Sequence, residues 1–228
     1  MELVFVRHGQ PEWARDRIAF RNPPLTDLGQ AQAKATASHL AASEKVTTEL
    51  VVSPLVRAQQ TAAPIAAELG VEPTTLDWLA EIGSPESWEG APIEEVERVF
   101  AAGRNRSIDE LWDGLPGGES VRDFHERIVQ GTDGFLAARG ADRVTPEPPQ
   151  WRFTAPDRRI VIVAHAGTNA TILGHLLGIP PVPWEWERFV TMHASLSEVE
   201  PVQIGGAAVY SLVRLSDVGH LPADHRTR

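Results

Sequence analysis

Three short apolar runs along the chain each stop at polar or cationic residues. Runs of this length that are rich in Val, Ile and Leu predict buried strands. Ligands of open α/β sheets bind at the carboxyl ends of the strands, so parallel neighbouring strands would bring the residues that follow them to one place. The runs and the residues that follow are 3–6 with Arg7 and His8, 50–52 with Ser53 and Arg57, and 160–164 with His165.

Between and after these runs, apolar residues recur at helical spacing. Alternation of strands and helices predicts an α/β fold, a three-layer sandwich with a mostly parallel central sheet flanked by helices, in a single domain of residues 1–228. Two late strands separated by Gly205-Gly206 predict a hairpin. The predicted helices are 27–42 with Thr26 as N-cap, 55–69 closed by Gly70, 92–102, 120–138 and 168–177, and the late strands are 195–202 and 207–215.

Three segments lack such periodicity. Residues 103–118 predict a loop that covers the sheet as part of a lid. Residues 140–159 contain four prolines, which favour a surface insertion or connector over regular structure. The last residues, which include His220 and His225, predict a short C-terminal tail.

Composition narrows the class of partner. The formal charge of −10 argues against nucleic acid or an anionic membrane as the main partner. With no cysteine, the chain has no disulfide framework, cysteine nucleophile or thiolate zinc site. No apolar run approaches membrane-spanning length, and the first strand follows Met1-Glu2 directly, so we expect a cytoplasmic protein.

The predicted cluster of two imidazoles and two guanidiniums suits a phosphoryl group. A guanidinium presents a rigid fork of donors that matches phosphate oxygens, and a histidine between arginines stays unprotonated and nucleophilic. A zinc or iron site built from His8 and His165 is the chemical alternative, but a third ligand with suitable spacing is missing and the arginines would repel a cation. No Gly-x-x-x-x-Gly-Lys loop occurs. We therefore expect no metal and no cofactor.

Several motifs carry a resemblance that covers nearly the whole chain. Taken together in their order along the chain, these motifs resemble those of the histidine phosphatase superfamily, in its phosphoglycerate mutase-like branch 1. The resemblance implies a phosphomonoester hydrolase of the histidine acid phosphatase type, which acts through a phosphohistidine on a small phosphorylated metabolite. The motifs are Arg7-His8-Gly9, residues 24–33, residues 53–62, Gly117-Gly118-Glu119-Ser120 and residues 163–167.

The resemblance also implies roles for single residues. His8 is the expected nucleophile, and Arg7, Arg57 and His165 hold the phosphoryl oxygens. Residues 79–82 and 88–90 resemble the family's Leu-x-Glu-Ile and Trp-Glu-Gly segments, which makes Glu81 the expected proton donor and acceptor. Glu86 and Glu89 are the competing carboxylates.

Substrate contacts beyond the phosphoryl group are less specified. Two positions where the family usually carries phosphate-facing donors hold Pro11 and Ala14 here. We expect Gln10, Arg21 and Ala166 to bind substrate alongside Arg7, Arg57 and His165. Whether four further arginines contact the substrate stays open, namely Arg15, Arg17, Arg104 and Arg106. Three tryptophans predict an aromatic wall of the pocket, namely Trp13, Trp88 and Trp184.

Two alternatives to hydrolysis remain at this point. A cofactor-dependent phosphoglycerate mutase would pass the phosphoryl group to a second hydroxyl, but residues 82–84 lack the arginine, histidine and tyrosine typical of mutases there. A non-catalytic member would bind a phosphorylated ligand or a partner protein. The sequence is compatible with a homodimer. It does not specify the natural substrate, which could be a sugar phosphate, a nucleotide or a specialised metabolite.

Overall fold

An eight-stranded sheet forms the centre of the protein, for which a computed structural model describes residues 1–103 and 105–228. The strand order is β5-β4-β8-β1-β9-β10-β7-β6, and β2 and β3 form a separate two-stranded ribbon. The strands are β1 Glu2–Arg7, β2 Ala14–Arg15, β3 Ile18–Ala19, β4 Glu49–Val52, β5 Pro73–Thr75, β6 Ala141–Thr145, β7 Gln150–Phe153, β8 Arg159–Ala164, β9 Leu196–Ile204 and β10 Ala207–Asp217.

The half of the sheet from β5 to β1 is parallel, as the sequence predicts for the three apolar runs. β8 lies between β4 and β1, with Val52 opposite Val163 and Arg7 opposite Ala164. The remaining strands pair antiparallel, including β9 against β1. The carboxyl ends of β4, β8 and β1 therefore meet at one edge of the sheet.

The helices lie close to their predicted bounds. Thr26 Oγ1 accepts from Gly29 N at the start of α1, and Ser120 caps α5 in the same way. Gly70 closes α2 in the left-handed conformation, with φ of 64°. The helices are α1 Asp27–Ala41, α2 Val56–Leu69, α3 Ile93–Gly103, α4 Ile108–Trp112, α5 Val121–Ala137, α6 Ala166–Leu176 and α7 Glu185–Arg188.

Alternating side chains of the strands bury against helices on both faces, which gives the predicted three layers. Val4 and Val6 pack in a cluster with residues of α1 and α2. Leu3 and Phe5 belong to a second cluster with residues of α5 and α6. Since successive strand residues point to opposite faces, a strand that is apolar throughout must be covered on both sides.

Two of the segments predicted to be irregular contain regular structure. The lid predicted as a loop over 103–118 includes the short helix α4, which begins with a capping box between Ser107 and Glu110. The proline-rich segment 140–159, predicted as an insertion without regular structure, forms the antiparallel pair β6 and β7. Proline is excluded only from ladder positions that need its N–H, and the prolines at 146, 148 and 149 fall in the turn between these strands.

The C-terminal residues fold back onto the carboxyl edge of the sheet. A 3₁₀ turn spans Ala223–His225, and the Thr227 carbonyl accepts from His193 N at 2.9 Å. Gln32 of α1 donates to the His225 carbonyl. Among the described residues, the helices are all too short or too polar to cross a lipid bilayer.

Candidate active site

His8 and His165 lie side by side just beyond the ends of β1 and β8. Their ring centroids are 5.1 Å apart, and both side chains are buried. His8 N continues the ladder by donating to the Ala164 carbonyl at 3.0 Å. The parallel register thus brings together two imidazoles that are 157 positions apart in the chain.

The hydrogen bonds of His8 fix where its proton resides. Nδ1 lies 2.7 Å from the Gly9 carbonyl oxygen, which can only accept. Nε2 lies 3.2 Å from Arg57 Nε, which can only donate. The proton is therefore on Nδ1, and the Nε2 lone pair faces the site. The pKa of His8 lies well below its ordinary value because of burial first, and then because of His165, Arg57 and Arg7.

Arg57 reaches His8 from the first turn of α2. Its guanidinium carbon lies 4.9 Å from the ring centroid of Trp13, one of the tryptophans expected to line the pocket. Burial lowers the pKa of Arg57 to about 10, an effect that Glu81 opposes and Arg7 adds to. Arg57 is still charged at neutral pH.

Arg7, the last residue of β1, is held by the segment that precedes β9. It donates from Nη1 to the Thr191 carbonyl at 2.6 Å, and its Nη2 lies 3.1 Å from His193 Nε2. Burial lowers the pKa of Arg7 to about 10, while Glu81 opposes the shift. The two guanidiniums thus remain positive, with His8 in contact with one and next in sequence to the other.

His165 occupies the N-cap position of α6, and its ring pairs with Ser53, the residue after β4. Ser53 Oγ and His165 Nε2 are 2.7 Å apart. Burial lowers the pKa of His165 well below its ordinary value, and Arg57, Arg7 and Arg127 lower it further. β8 ends at Ala164 and the helix begins at Ala166, two residues earlier than the predicted start at Thr168.

Three buried nitrogen atoms around His8 have no hydrogen-bond partner among the described residues. They are Arg7 Nε, Arg57 Nη1 and His165 Nδ1. Burying an unpaired polar atom costs about 1–3 kcal/mol, so three of them around one imidazole indicate a site built for an anion. A phosphoryl group offers acceptor oxygens to the two guanidinium nitrogens, and to His165 Nδ1 when that atom carries the ring proton.

The carboxylate of Glu81 lies against the N-terminus of α6. It accepts two backbone hydrogen bonds. Oε2 accepts from Gly167 N at 2.9 Å, and Oε1 accepts from Ile82 N at 3.1 Å. A Cβ atom on Gly167 would lie 2.5 Å from Oε1. Glycine is therefore required at 167 for the carboxylate to sit here. Of the competing carboxylates, Glu89 accepts from Arg21 N and belongs to a neighbouring loop.

Glu119 of the Gly-Gly-Glu-Ser motif holds the segment that carries Glu81. Its carboxylate accepts from Arg127 at 2.9 and 2.8 Å and from Gly83 N at 2.9 Å. Arg127 in turn donates to the carbonyls of Trp78 and Ala80. These bonds fix the backbone on both sides of Glu81, a role that the sequence does not reveal.

His193 is a member of the site that sequence reasoning missed. Its ring centroid lies 5.7 Å from that of His8, and its Nδ1 lies 3.0 Å from Thr227 Oγ1. Burial lowers the pKa of His193 to about 3, with a further contribution from Arg7. The available signal was a histidine just before a late buried strand, since a strand antiparallel to β1 starts where β1 ends.

The other residues expected to bind substrate have different partners in the structure. Gln10 Oε1 accepts from Thr26 Oγ1 at 2.9 Å. Arg21 donates to the Ser84 carbonyl at 2.8 Å and so braces the loop after Glu81. Ala166 lies in the first turn of α6 beside Glu81, at a cavity. The four arginines whose substrate contacts the sequence left open have these outcomes: Arg15 pairs with Glu12, Arg17 pairs with Glu94, and Arg106 donates to the Gly114 carbonyl. Arg104 lies outside the described residues.

The structure does not arrange His8 and His165 as metal ligands, because both ring nitrogens of His8 and one of His165 face hydrogen-bond partners. In the described part of the chain, the clustered carboxylates and histidines that could share an ion are Glu2, Glu198 and Glu200. Lys45 Nζ contacts all three carboxylates, so a cation already occupies that cluster.

Comparison with known proteins gives one family and several relatives. The family model for the histidine phosphatase superfamily, branch 1, matches residues 3–211. A glucosyl-3-phosphoglycerate phosphatase of Mycolicibacterium vanbaalenii is 31% identical over 192 residues, which cover 80% of this chain and 76% of the relative. A probable phosphoglycerate mutase of Yersinia enterocolitica is 27% identical over 203 residues, which cover 88% and 85%.

Solved structures show the same similarity. A mycobacterial glucosyl-3-phosphoglycerate phosphatase in complex with inorganic phosphate superposes with a TM-score of 0.69 at 25% identity, covering 97% of this chain and 99% of that one. A protein described as mycobacterial hydrolase 2 superposes with a TM-score of 0.71 at 26% identity, covering 98% and 93%.

Proposed function

The chain belongs to branch 1 of the histidine phosphatase superfamily, and from that premise we propose that it hydrolyses phosphomonoesters with His8 as the nucleophile. Small phosphorylated metabolites are the substrate class, in line with its phosphatase relatives. The observation that carries the proposal is the state of His8, whose Nε2 lone pair lies among cationic side chains with unpaired donors.

In the first half-reaction, His8 Nε2 attacks phosphorus and the bond between phosphorus and the alcohol oxygen breaks. Glu81, in its carboxylic acid form, gives its proton to the departing oxygen. Arg57 exchanges its contact with Nε2 for the phosphoryl oxygens. The Nδ1–H of the resulting cationic phosphohistidine keeps its hydrogen bond to the Gly9 carbonyl, which stabilises the positive ring.

In the second half-reaction, water attacks the phosphorus of phosphohistidine on the side the alcohol has left. Glu81, now a carboxylate, accepts the proton from this water, and the bond between Nε2 and phosphorus breaks. Inorganic phosphate leaves, and both His8 and Glu81 return to their starting protonation states. Arg7, Arg57 and His165 hold the equatorial oxygens in both steps and stabilise the charge of the transition state.

His165 fulfils this role as a neutral donor. If the Ser53 hydroxyl donates to Nε2, the ring proton resides on Nδ1, the atom without a partner among the described residues. The lowered pKa of His165, caused by burial and the arginines, favours this neutral form. Ser53 is thus a positioning residue that sets the tautomer.

An acid-active phosphatase is the finer form of the proposal. A histidine nucleophile fails when it is protonated, and the lowered pKa of His8 keeps Nε2 free well below neutral pH. We therefore expect the enzyme to keep its activity in acidic solution as long as it is folded.

Hydrolysis fits the structure better than a mutase reaction, although one relative carries a mutase name. A mutase must bind a second acceptor hydroxyl and the carboxylate of phosphoglycerate. Arg21, which follows β3, donates to Ser84 in the loop after Glu81 and is thereby already engaged. Release of inorganic phosphate from several phosphomonoesters, without added bisphosphoglycerate and lost in the His8→Ala variant, is the expected result. Obligate dependence on bisphosphoglycerate would overturn it.

A further inference from the structure

A cavity of about 590 Å³ opens directly beside Glu81, Ala166 and Gly167. These residues flank the phosphoryl site, so the cavity lies where the alcohol part of a bound phosphomonoester must extend. Its size falls within the range of small-molecule binding sites, about 300–1,000 Å³. The cavity lies between α3 and α4 on one side and α6 and α7 on the other.

The far wall of the cavity is mainly apolar. Phe100 and Trp184 remain more than a third exposed at its mouth, at 56% and 38%, and the Phe100 ring is held by Trp88 at a centroid distance of 4.9 Å. Exposed aromatic side chains around a concave surface are typical of a site that buries an apolar ligand. The apolar lining consists of Ile82, Phe100, Leu111, Leu115, Trp184 and Trp186.

The charged residues of the described lining, other than Glu81, are already paired. Arg106 donates to the Gly114 carbonyl at 2.5 Å, and Glu187 pairs with Arg228 at 2.8 Å. A substrate whose alcohol carries a carboxylate or many hydroxyls would lose hydration here without gaining matched partners from these residues.

We propose that this cavity selects phosphomonoesters whose alcohol is large and apolar, aromatic or branched aliphatic, and uncharged at the end distal to phosphorus. The inference rests on the proposed phosphatase function and narrows its substrate class. It differs from the substrate named for the relatives, glucosyl-3-phosphoglycerate, which is rich in hydroxyls and carries a carboxylate.

Hydrolysis of a series of n-alkyl phosphates from ethyl to octyl tests the inference, because these alcohols leave with nearly equal ease and differ in apolar surface. Each methylene buried raises kcat/KM by about 3- to 4-fold, so hexyl phosphate exceeds ethyl phosphate by on the order of 100-fold. 3-Phosphoglycerate serves as the anionic comparison and is the poorer substrate. A flat series, or a preference for 3-phosphoglycerate, overturns the inference and leaves the phosphatase proposal standing.

Variants locate the effect. Trp184→Ala and Leu115→Asp flatten the chain-length dependence, and Leu215→Asp, at an exposed position of β10, leaves it unchanged. Trp184 is partly exposed, so its replacement keeps the test available if Leu115→Asp fails to fold. An unchanged series in a folded Trp184→Ala variant that also binds hexylphosphonate as wild type does would contradict the assignment.

Binding separates this inference from the function on which it rests. Alkylphosphonates cannot be hydrolysed, and tryptophan fluorescence reports their binding to the protein with or without His8→Ala. Chain-length-dependent binding without hydrolysis of any ester would refute the phosphatase proposal and uphold the apolar subsite. Hydrolysis of the esters combined with phosphonate binding that does not depend on chain length would uphold the phosphatase proposal and refute the apolar subsite.

Discussion

His193 Nε2 accepts a hydrogen bond from Arg7 Nη2 at 3.1 Å, and this contact ties the phosphoryl site to the C-terminus. Because the acceptor nitrogen lacks a proton, the ring proton is on Nδ1, which donates to Thr227 Oγ1 at 3.0 Å. The lowered pKa of His193, about 3 as a result of burial, keeps it in this neutral form at working pH. His193 therefore acts as a positioning residue for Arg7.

Replacement of His193 should weaken catalysis through Arg7. His193→Ala is expected to lower kcat/KM for phosphomonoesters by about 10-fold, since a hydrogen bond to a charged group contributes about 1.5 kcal/mol. His193→Asn retains an acceptor and should recover most of the activity. The exposed His39→Ala is the matched control. Equal losses in the Ala and Asn variants would contradict the positioning role.

Gly167 is required by the approach of the Glu81 carboxylate. Gly167→Ala places a methyl group 2.5 Å from the present position of Oε1, so the carboxylate must move and kcat should fall at least 10-fold. The matched control is Gly134→Ala in α5, where a Cβ meets nothing within 4 Å. That variant should keep full activity and gain up to about 1 kcal/mol in the free energy of unfolding. Steady-state kinetics and urea denaturation measure both, and full activity in Gly167→Ala would refute the placement of Glu81.

The pair of Glu119 and Arg127 should matter for both stability and rate. Glu119→Ala leaves Gly83 N and Arg127 without their acceptor, which should cost about 1–2 kcal/mol in unfolding free energy. Because the Glu81 segment loosens, kcat should fall more than KM rises. Glu126→Ala, at an exposed position of α5 next to Arg127, should be neutral within about 0.5 kcal/mol. A Glu119→Ala protein with wild-type kcat would show that the bracing is irrelevant to the reaction.

The buried neutral histidines make stability depend on pH. Burial lowers the pKa values of His8 and His165 in the folded protein, whereas the unfolded chain takes up protons near the ordinary value of about 6.5. The unfolded state therefore binds more protons below that pH, and stability falls as pH falls from about 6.5. Each such histidine contributes up to about 1.4 kcal/mol per pH unit.

Urea denaturation between pH 6 and 4 should show the free energy of unfolding falling as the pH falls. Meanwhile kcat/KM, corrected for ionisation of the substrate phosphate, should hold steady as long as the protein is folded, so that acid inactivation coincides with loss of the near-ultraviolet circular dichroism signal. Loss of activity in acid by a protein that is still folded would contradict the lowered pKa of the nucleophile.

The sequence predicted the parallel half of the sheet because β1, β4 and β8 are buried on both faces and read as continuous apolar runs. It did not predict the pair β6 and β7, since periodicity over a few residues beside several prolines is weak. The short helix α4 was missed for a similar reason: its five residues give little helical pattern, and the capping box of Ser107 and Glu110 is the main local signal.

Candidate site residues at strand ends were predictable because strand polarity alone places them. His193 was not, because its position depends on β9 pairing with β1 from the opposite direction. The partners of Arg21 and Gln10 likewise depend on how loops fold over the sheet. Tertiary contacts of this kind produce no regular spacing of residues that could be recognised in the sequence.

Formation of a phosphohistidine on His8 tests the central claim most directly. Wild-type protein mixed with a ³²P-labelled phosphomonoester is quenched in alkali within milliseconds, since a phosphohistidine survives base and is lost in acid, and the labelled peptide is then identified. The account predicts acid-labile label on the peptide that contains His8. With a substrate that has a good leaving group, the Glu81→Gln variant should retain more of this label, because Glu81 no longer activates the water that hydrolyses the phosphohistidine. Label on another residue, or undiminished phosphate release from pure His8→Ala protein, would contradict the account.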